Sequence, residues 1–413
     1  MAAYTDDSGQ EYVIIISTHN VAELYACLQF SPTRVLTIAT QHFKAAEERF
    51  HRVLRRLKPK IERMKVMTEG LHGDQFHQGY YWAKLHLHSY LRPKHKKVLN
   101  ATGGTKALIL ALEQAIDWDQ IHYKGINSSS IEVIPMENHR FREEERREAS
   151  CQIDPLIYQQ VAVDDICHLY LENMLPDKTS VYPKPNGSID LATKIWSIIE
   201  QPHHPHWHLA KYLNNAWRDK KSLSISQMDF EGDEEWMAFK IWSQYISESL
   251  PNLLKVGKDG IEILLDYTHC KQTLFNRKWL EGGWLEELVY QWIYDSGIAS
   301  QHIHVSMNVQ ANNNKNDAQG SEREIDLCIL NNEKLTIIEV KAGVPNRSML
   351  TQAERQLSSV GSFFPASNKV LFLGPWAQDK LPTNQLKREF QSQCRAAGVY
   401  VVMDQASLLA LFR

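Results

Sequence analysis

Cysteine is sparse in this 413-residue chain, and the six that occur (Cys27, Cys151, Cys167, Cys270, Cys328, Cys394) lie far apart with no C-x-x-C. That spacing excludes a disulfide framework and a thiolate zinc site, and it suits a reducing compartment. No apolar run approaches the ~20 residues that a bilayer-spanning helix needs. The first residues, MAAYTDDSGQEY, lack the apolar stretch of a secretory signal, so a cytoplasmic protein with no membrane contact is expected. Large net charge is missing too. At −3 overall, the chain is not a polycation that coats nucleic acid. Neither G-x-x-x-x-G-K-[ST] nor G-x-G-x-x-G occurs, which removes the Walker and dinucleotide-binding loops.

One absence is local. No Asp or Glu occurs between Gln75 and Leu112, while Lys84, Arg92, Lys94, Lys96, Lys97 and Lys106 lie in that stretch. Residues 1–140 hold 18 Lys+Arg against 14 Asp+Glu, net +4, so the remainder carries −7. A positive field inside an acidic protein points to a bound anion.

What is present divides the chain into three. In residues 1–140, short apolar runs (Val13–Ile16, Val35–Ala39, Met64–Met67, Lys97–Asn100) alternate with amphipathic stretches (Val21–Phe30, a helix from about Phe43, Gln75–Leu91, Lys106–Ile116). That alternation predicts a doubly wound, mainly parallel α/β sheet of Rossmann type. The charged run Glu137–Glu148 reads as a solvated helix or linker. Residues 141–265 read as a mainly helical, Trp-rich connecting region, winged-helix-like in outline. Residues 266–413 return to mixed α/β, with strands Ile325–Leu330 and Leu335–Val340 joined by a hairpin turn at Asn331–Lys334.

Two clusters carry chemistry. In VLNATGGTKALILAL a buried strand runs into Thr102, Gly103, Gly104, Thr105 and Lys106 and then into a helix. Free N–H groups, close backbone approach, two hydroxyls and an ammonium suit a phosphate. Ser17, Thr18, His19 and Asn20 end the first strand, and Thr40 ends the second. In a doubly wound sheet these strand ends share the rim where ligands bind. The second cluster is EREIDLCIL followed by LTIIEVKAG. Alternate strand residues share a face, so Glu324 and Asp326 point together, as do Glu339 and Lys341. The hairpin then groups Asp326, Glu339 and Lys341. Two carboxylates at this spacing suit Mg²⁺ or Mn²⁺, and Lys341 can orient a water or offset charge on a phosphate. QPHHPHWH (His203, His204, His206, His208) is set aside as a metal site, because its prolines break helical spacing and no Cys lies near.

With Val13–Asn20 followed by Asn100–Lys106, the first part resembles the CARF domain (CRISPR-associated Rossmann fold). That resemblance implies a cyclic oligoadenylate bound across a homodimer, with cyclic tetra-adenylate the expected ring. The last part resembles the PD-(D/E)XK restriction-endonuclease-like nucleases. This implies one further helical acid in GGWLEELVY, Glu286 or Glu287, with Glu286 preferred, and a helical Gln at Gln352 or Gln356. Together they resemble the CARF–nuclease fusions of type III CRISPR defence: homodimeric, metal-dependent endonucleases acting on DNA or RNA, with Glu286, Asp326, Glu339 and Lys341 catalytic and Asp326 and Glu339 on the metal. A CARF protein with a HEPN ribonuclease is excluded, since no Arg stands five to seven positions before any of the 18 histidines. The remaining rival is a nucleotide-sensing transcriptional regulator with an inactive nuclease-like domain.

Overall fold

The computed structural model describes residues 9–125, 128–137, 140–141, 150–170, 173–174, 187–199, 205–219, 223–250, 253–264, 279–297, 303–312, 323–342, 347–361, 364, 367–374 and 384–412. The chain divides into two compact units. One comprises residues 1–174, 312–321 and 330–334, the other residues 175–311, 322–329 and 335–413.

The first unit is built on strands β1 (Gln10–Ile15), β2 (Arg34–Ile38), β3 (Glu62–Lys65), β4 (Lys96–Asn100) and β5 (Gln120–Tyr123). They are parallel and ordered β3-β2-β1-β4-β5. The inner strands must be apolar on both faces, because helices cover both sides of such a sheet. Tyr12, Val13, Ile14, Val35, Leu36, Val98 and Leu99 accordingly lie fully buried. The crossovers are α1 (Val21–Phe30), α2 (Lys44–Leu57), α3 (Phe76–Trp82) running through a π turn at Ala83–Leu87 into α4 (His88–Tyr90), and α5 (Lys106–Ala115). α1 stops at Ser31, whose left-handed φ of 42° closes it on the Cys27 carbonyl.

The two edges of this sheet differ. Where β1, β2 and β4 begin, Arg34 Nη1 reaches Glu11 Oε1 at 2.7 Å, the Arg92 N–H donates to Glu11 Oε2, and Arg92 also pairs with Glu62 at 2.9 Å. That edge is sealed by paired charge. The opposite edge, where the strands end, exposes Thr18, His19, Gly104, Thr105 and Lys106.

The charged run departs from its predicted solvated helix or linker. Arg140–Phe141 pairs antiparallel with Met136–Glu137, and Ser150–Gln152 pairs with Ser130–Glu132, so the first unit continues past this run. Helix Val163–Tyr170 then packs on α2. The rest of the run, and the Asn-rich loop 313–321, lie outside the described residues.

In the second unit, helices Ser188–Ile199, Pro205–Asp219 and Asp233–Ser249 accompany an antiparallel sheet of Leu223–Ile225, Ile261–Ile263 and Leu254–Val256. Beyond it stand helix Trp284–Asp295 and a larger sheet in the order Val399–Val402, Asn368–Leu373, Lys334–Lys341, Arg323–Asn331, Ile303–Asn312, its first three strands parallel. Strands Arg323–Asn331 and Lys334–Lys341 form the expected hairpin. Its two-residue turn is Asn332–Glu333, with Asn332 at φ 54°. One hydrophobic core runs from Leu191 through Trp236, Phe239 and Trp242 to Trp284, Ile338, Phe372 and Leu408. The middle segment and the C-terminal sheet therefore share their interior.

Candidate active site and ligand-binding rim

The catalytic candidates meet inside the second unit. Asp326 and Glu339 lie on neighbouring strands of the hairpin, 8% and 2% exposed. Carboxylates that deep are costly unless each is partnered. Asp326 Oδ2 accepts the Val340 N–H at 2.6 Å. Glu339 Oε1 is ion-paired with Lys341 Nζ, and Glu339 Oε2 accepts from Gln356 Nε2 at 3.0 Å. Burial alone would favour neutral Lys341, but Glu339, Asp326 and Glu286 outweigh it and raise its pKa. The ammonium therefore stays charged.

The alternatives left by the sequence now separate by position. Glu287 is buried as a structural acceptor: Ser188 Oγ donates to its Oε1 at 2.7 Å and Trp279 Nε1 to its Oε2 at 2.8 Å. Glu286, one residue earlier and half-buried, faces the Lys341 charge. Gln356 reaches Glu339, whereas Gln352 is exposed. The Glu324 side chain lies outside the described residues.

Among the described residues no group of three or more His, Cys, Asp or Glu converges as a ready metal cage. Asp326 and Glu339 offer two hard-oxygen donors. That fits Mg²⁺ or Mn²⁺, which take one or two carboxylates and keep water and phosphate oxygens in the remaining positions. The histidine-rich segment is structural where described. His206 sits between the Trp242 and Trp284 rings and accepts from Trp242 Nε1 at 3.3 Å, and His208 pairs with Glu235. His203 and His204 lie outside the described residues.

In the first unit the rim loops converge. Asn20 does not cap α1. Its Oδ1 accepts from the Ser17 N–H and its Nδ2 donates to the Ser17 carbonyl, both at 2.9 Å, which holds the turn shut and leaves Thr18 and His19 exposed. Burial lowers the pKa of His19, keeping the ring neutral near pH 7. A Cβ on Gly103 would lie 3.4 Å from Ser17 Oγ, so the first loop abuts the glycine pair. Gly104 has φ +89° and a Cβ there would strike Ile15 Cγ2 at 2.6 Å, so only glycine fits. Thr105 Oγ1 accepts from Leu108 N–H at 3.2 Å as the N-cap of α5 and also donates to the Gly73 carbonyl. A Cβ on Gly73 would in turn meet Thr40 Cγ2 at 3.3 Å, bringing the second strand end alongside. Thr102 Oγ1 accepts from the Lys124 N–H at 3.0 Å. Thr102 and Thr105 thus shape the rim, while Thr18, His19 and Lys106 are exposed on it.

Sequence reasoning passed over Glu23, which lies buried against Gly103, and the 70–73 turn. Glu23 looks like an ordinary first-turn acid of a helix, and only the three-dimensional approach of Gly103 marks it out.

Residues 274–362 match the Card1-like endonuclease domain. Among solved structures, VC1899 from Vibrio cholerae is similar with a TM-score of 0.68 at 15% identity, over 98% of this chain and 96% of that one. Can2 from Sulfobacillus thermosulfidooxidans, solved with cyclic tetra-adenylate, is similar with a TM-score of 0.63 at 17% identity, over 99% of this chain and 98% of that one. The chain resembles the CARF–nuclease fusions. The CARF–nuclease architecture, an N-terminal Rossmann-like sheet, a helical middle and a C-terminal α/β sheet, is the one expected from the sequence. No curated protein matches the chain. Among the described residues no helix is long and apolar enough to cross a membrane.

Proposed function

We propose that this protein is a cytoplasmic, homodimeric endonuclease of type III CRISPR defence, activated by a cyclic oligoadenylate and dependent on Mg²⁺ or Mn²⁺. The observation that carries the reading is the grouping of Asp326, Glu339, Lys341 and Gln356 around one buried strand end of a PD-(D/E)XK-like sheet, with Glu286 facing it. Asp326 and Glu339 would hold the ion, which when bound polarises the scissile phosphate and acidifies a water. Lys341, kept charged by its acidic neighbours, offsets negative charge as it builds on the phosphate oxygens. Gln356 fixes one oxygen of Glu339 and so the direction of the other.

The activator is the cyclic tetra-adenylate, held by Thr18, His19, Gly103, Gly104 and Lys106 of each subunit, with Ser17, Asn20, Thr40, Thr102 and Thr105 setting the shape of the rim. A two-fold symmetric ring suits two identical rims related by a dyad. DNA or RNA is the substrate. The regulator reading loses ground on a specific observation. The exposed positions of helix Asp233–Ser249, in the middle segment, are Asp233, Glu234, Met237, Ala238, Ile241, Gln244, Tyr245 and Glu248, an uncharged-to-acidic surface that phosphates would avoid.

The test incubates purified protein with labelled DNA and RNA, Mn²⁺ or Mg²⁺, and a panel of cyclic oligoadenylates. Cleavage is expected only with both a divalent ion and an activator. Cleavage that persists in chelator, or that no cyclic oligoadenylate stimulates, would overturn the corresponding half of the proposal.

A further inference from the structure

Glu23 stands in the first turn of α1 and is fully buried, and neither of its carboxyl oxygens has a hydrogen-bond partner among the described residues. Its Oε1 lies so close under the rim that a Cβ on Gly103 would meet it at 2.5 Å. An unpaired carboxylate is a costly thing to bury, and a negative charge directly beneath a phosphate-binding loop would oppose the ligand that the loop is built for. Protonation removes the repulsion and the charge part of the burial cost.

Resting on the reading of this rim as the activator site, we infer that Glu23 is a proton-gated charge. The activator binds the form in which Glu23 is protonated, and loss of that proton closes the rim to phosphate. Glu23 is a positioning residue acting through the Gly103 loop, since its carboxyl is screened from the ligand by that loop.

The surroundings favour this gate. Burial raises the Glu23 pKa to about 8, against its own backbone N–H and the Lys124 charge, which favour the anion. Lys124 Nζ is itself committed to Glu333 Oε1 at 2.6 Å and to the Ser128 carbonyl, all within the first unit. The other titratable groups facing Glu23 are Tyr12 on β1, Cys27 on α1 and Tyr170 on the helix Val163–Tyr170. Burial raises all three pKa values, so they stay neutral between about pH 7 and pH 9.5. His19, held below its ordinary value, is already neutral in that range.

The experiment measures cyclic tetra-adenylate affinity by calorimetry on the full-length protein from about pH 7 to about pH 9.5, for the parent and for Glu23→Gln. The parent is expected to lose affinity on the order of 10-fold per subunit across the range, and Glu23→Gln to stay flat. Should Glu23→Gln fail to fold, the parent alone decides. Titration near pH 8 in two buffers of different ionisation enthalpy should show proton uptake on binding. A flat parent profile without proton uptake, or a variant that falls as the parent does, overturns the gate and leaves the activator reading standing. Failure of the parent to bind any cyclic oligoadenylate at any pH overturns both.

Discussion

The glycine-rich rim and the carboxylate-bearing strand end are built by opposite means. At the rim the structure is made by backbone, with glycines at 103 and 104 drawn tight against β1, the Thr105 hydroxyl spent on a helix cap, and Thr18, His19 and Lys106 left exposed. At the strand end the structure is made by buried side chains that pin one another, Asp326 to Val340 and Glu339 to both Lys341 and Gln356. A rim of backbone and exposed charge can bind and release a ligand at small cost. A cluster of interlocked buried charges holds its geometry and tolerates no missing member. The contrast can be attacked from either side.

The largest effect is expected at the strand end. Glu339→Ala removes a metal donor and the partner of two neighbours, and cleavage should drop at least ~10³-fold while activator affinity stays at the parent value. Nuclease assays beside calorimetry check both halves, and a Glu339→Ala protein that cuts at the parent rate would refute the assignment. Asp326→Ala should abolish cleavage too but also cost about 1–3 kcal/mol of stability, since the Val340 N–H loses its buried acceptor.

Next comes the mirror variant at the rim. Lys106→Ala removes one charge-assisted phosphate contact per subunit, at about 1.5–3 kcal/mol each, so activator affinity should fall ~10²-fold or more. Cleavage should fail at low activator and recover at high activator. Equal affinity in parent and variant would show that the ligand sits elsewhere.

Acid should distinguish the units by stability. His51 and His122, both in the first unit, are buried neutral with pKa values lowered to about 4 and about 3, burial being the main cause. Below pH 6.5 the unfolded chain takes up protons that the folded one refuses, so stability falls as pH falls from 6.5 toward 4. The slope is up to ~1.4 kcal/mol per pH unit for each group. Thermal melts from about pH 7 to about pH 5 should show the first unit losing stability, and His122→Gln should flatten the loss if it folds.

The smallest effect sharpens a pair. Gln356→Ala should lower cleavage roughly 10-fold by loosening Glu339, whereas Gln352→Ala, exposed, should leave it unchanged. Equal behaviour of the two would mean the Gln356 contact does not orient the site.

How far the sequence was legible follows the same divide. Elements with strong periodicity were readable nearly to the residue, as at Val21–Phe30 and Lys96–Asn100, because a two-sided sheet demands continuous apolar runs. The hairpin bearing Asp326 and Glu339 was readable because charges at the end of an apolar strand stand out. The three-residue strands of the middle segment were not, since Leu223–Ile225 or Leu254–Val256 is too short to show a period. Nor could a sequence choose between Glu286 and Glu287. Adjacent residues on a helix point about 100° apart, and only the packing of Trp279 and Ser188 shows which one faces inward. Gln352 and Gln356 share a helix face, and a single hydrogen bond separates them.

The continuous interior of the second unit sets the terms for dissection and domain exchange. A fragment trimmed to residues 266–413, where composition alone would draw the line, keeps Trp284, Leu285 and Phe372 but forfeits Trp236, Phe239, Trp242 and Ile246 that complete the same core. At about 1.5–3 kcal/mol for each large apolar side chain removed from the core, that loss is comparable to the whole stability of a domain. Such a fragment should aggregate on expression, and chimaeras that graft the C-terminal sheet onto another domain must carry the segment from Ser188 onward as part of the cargo.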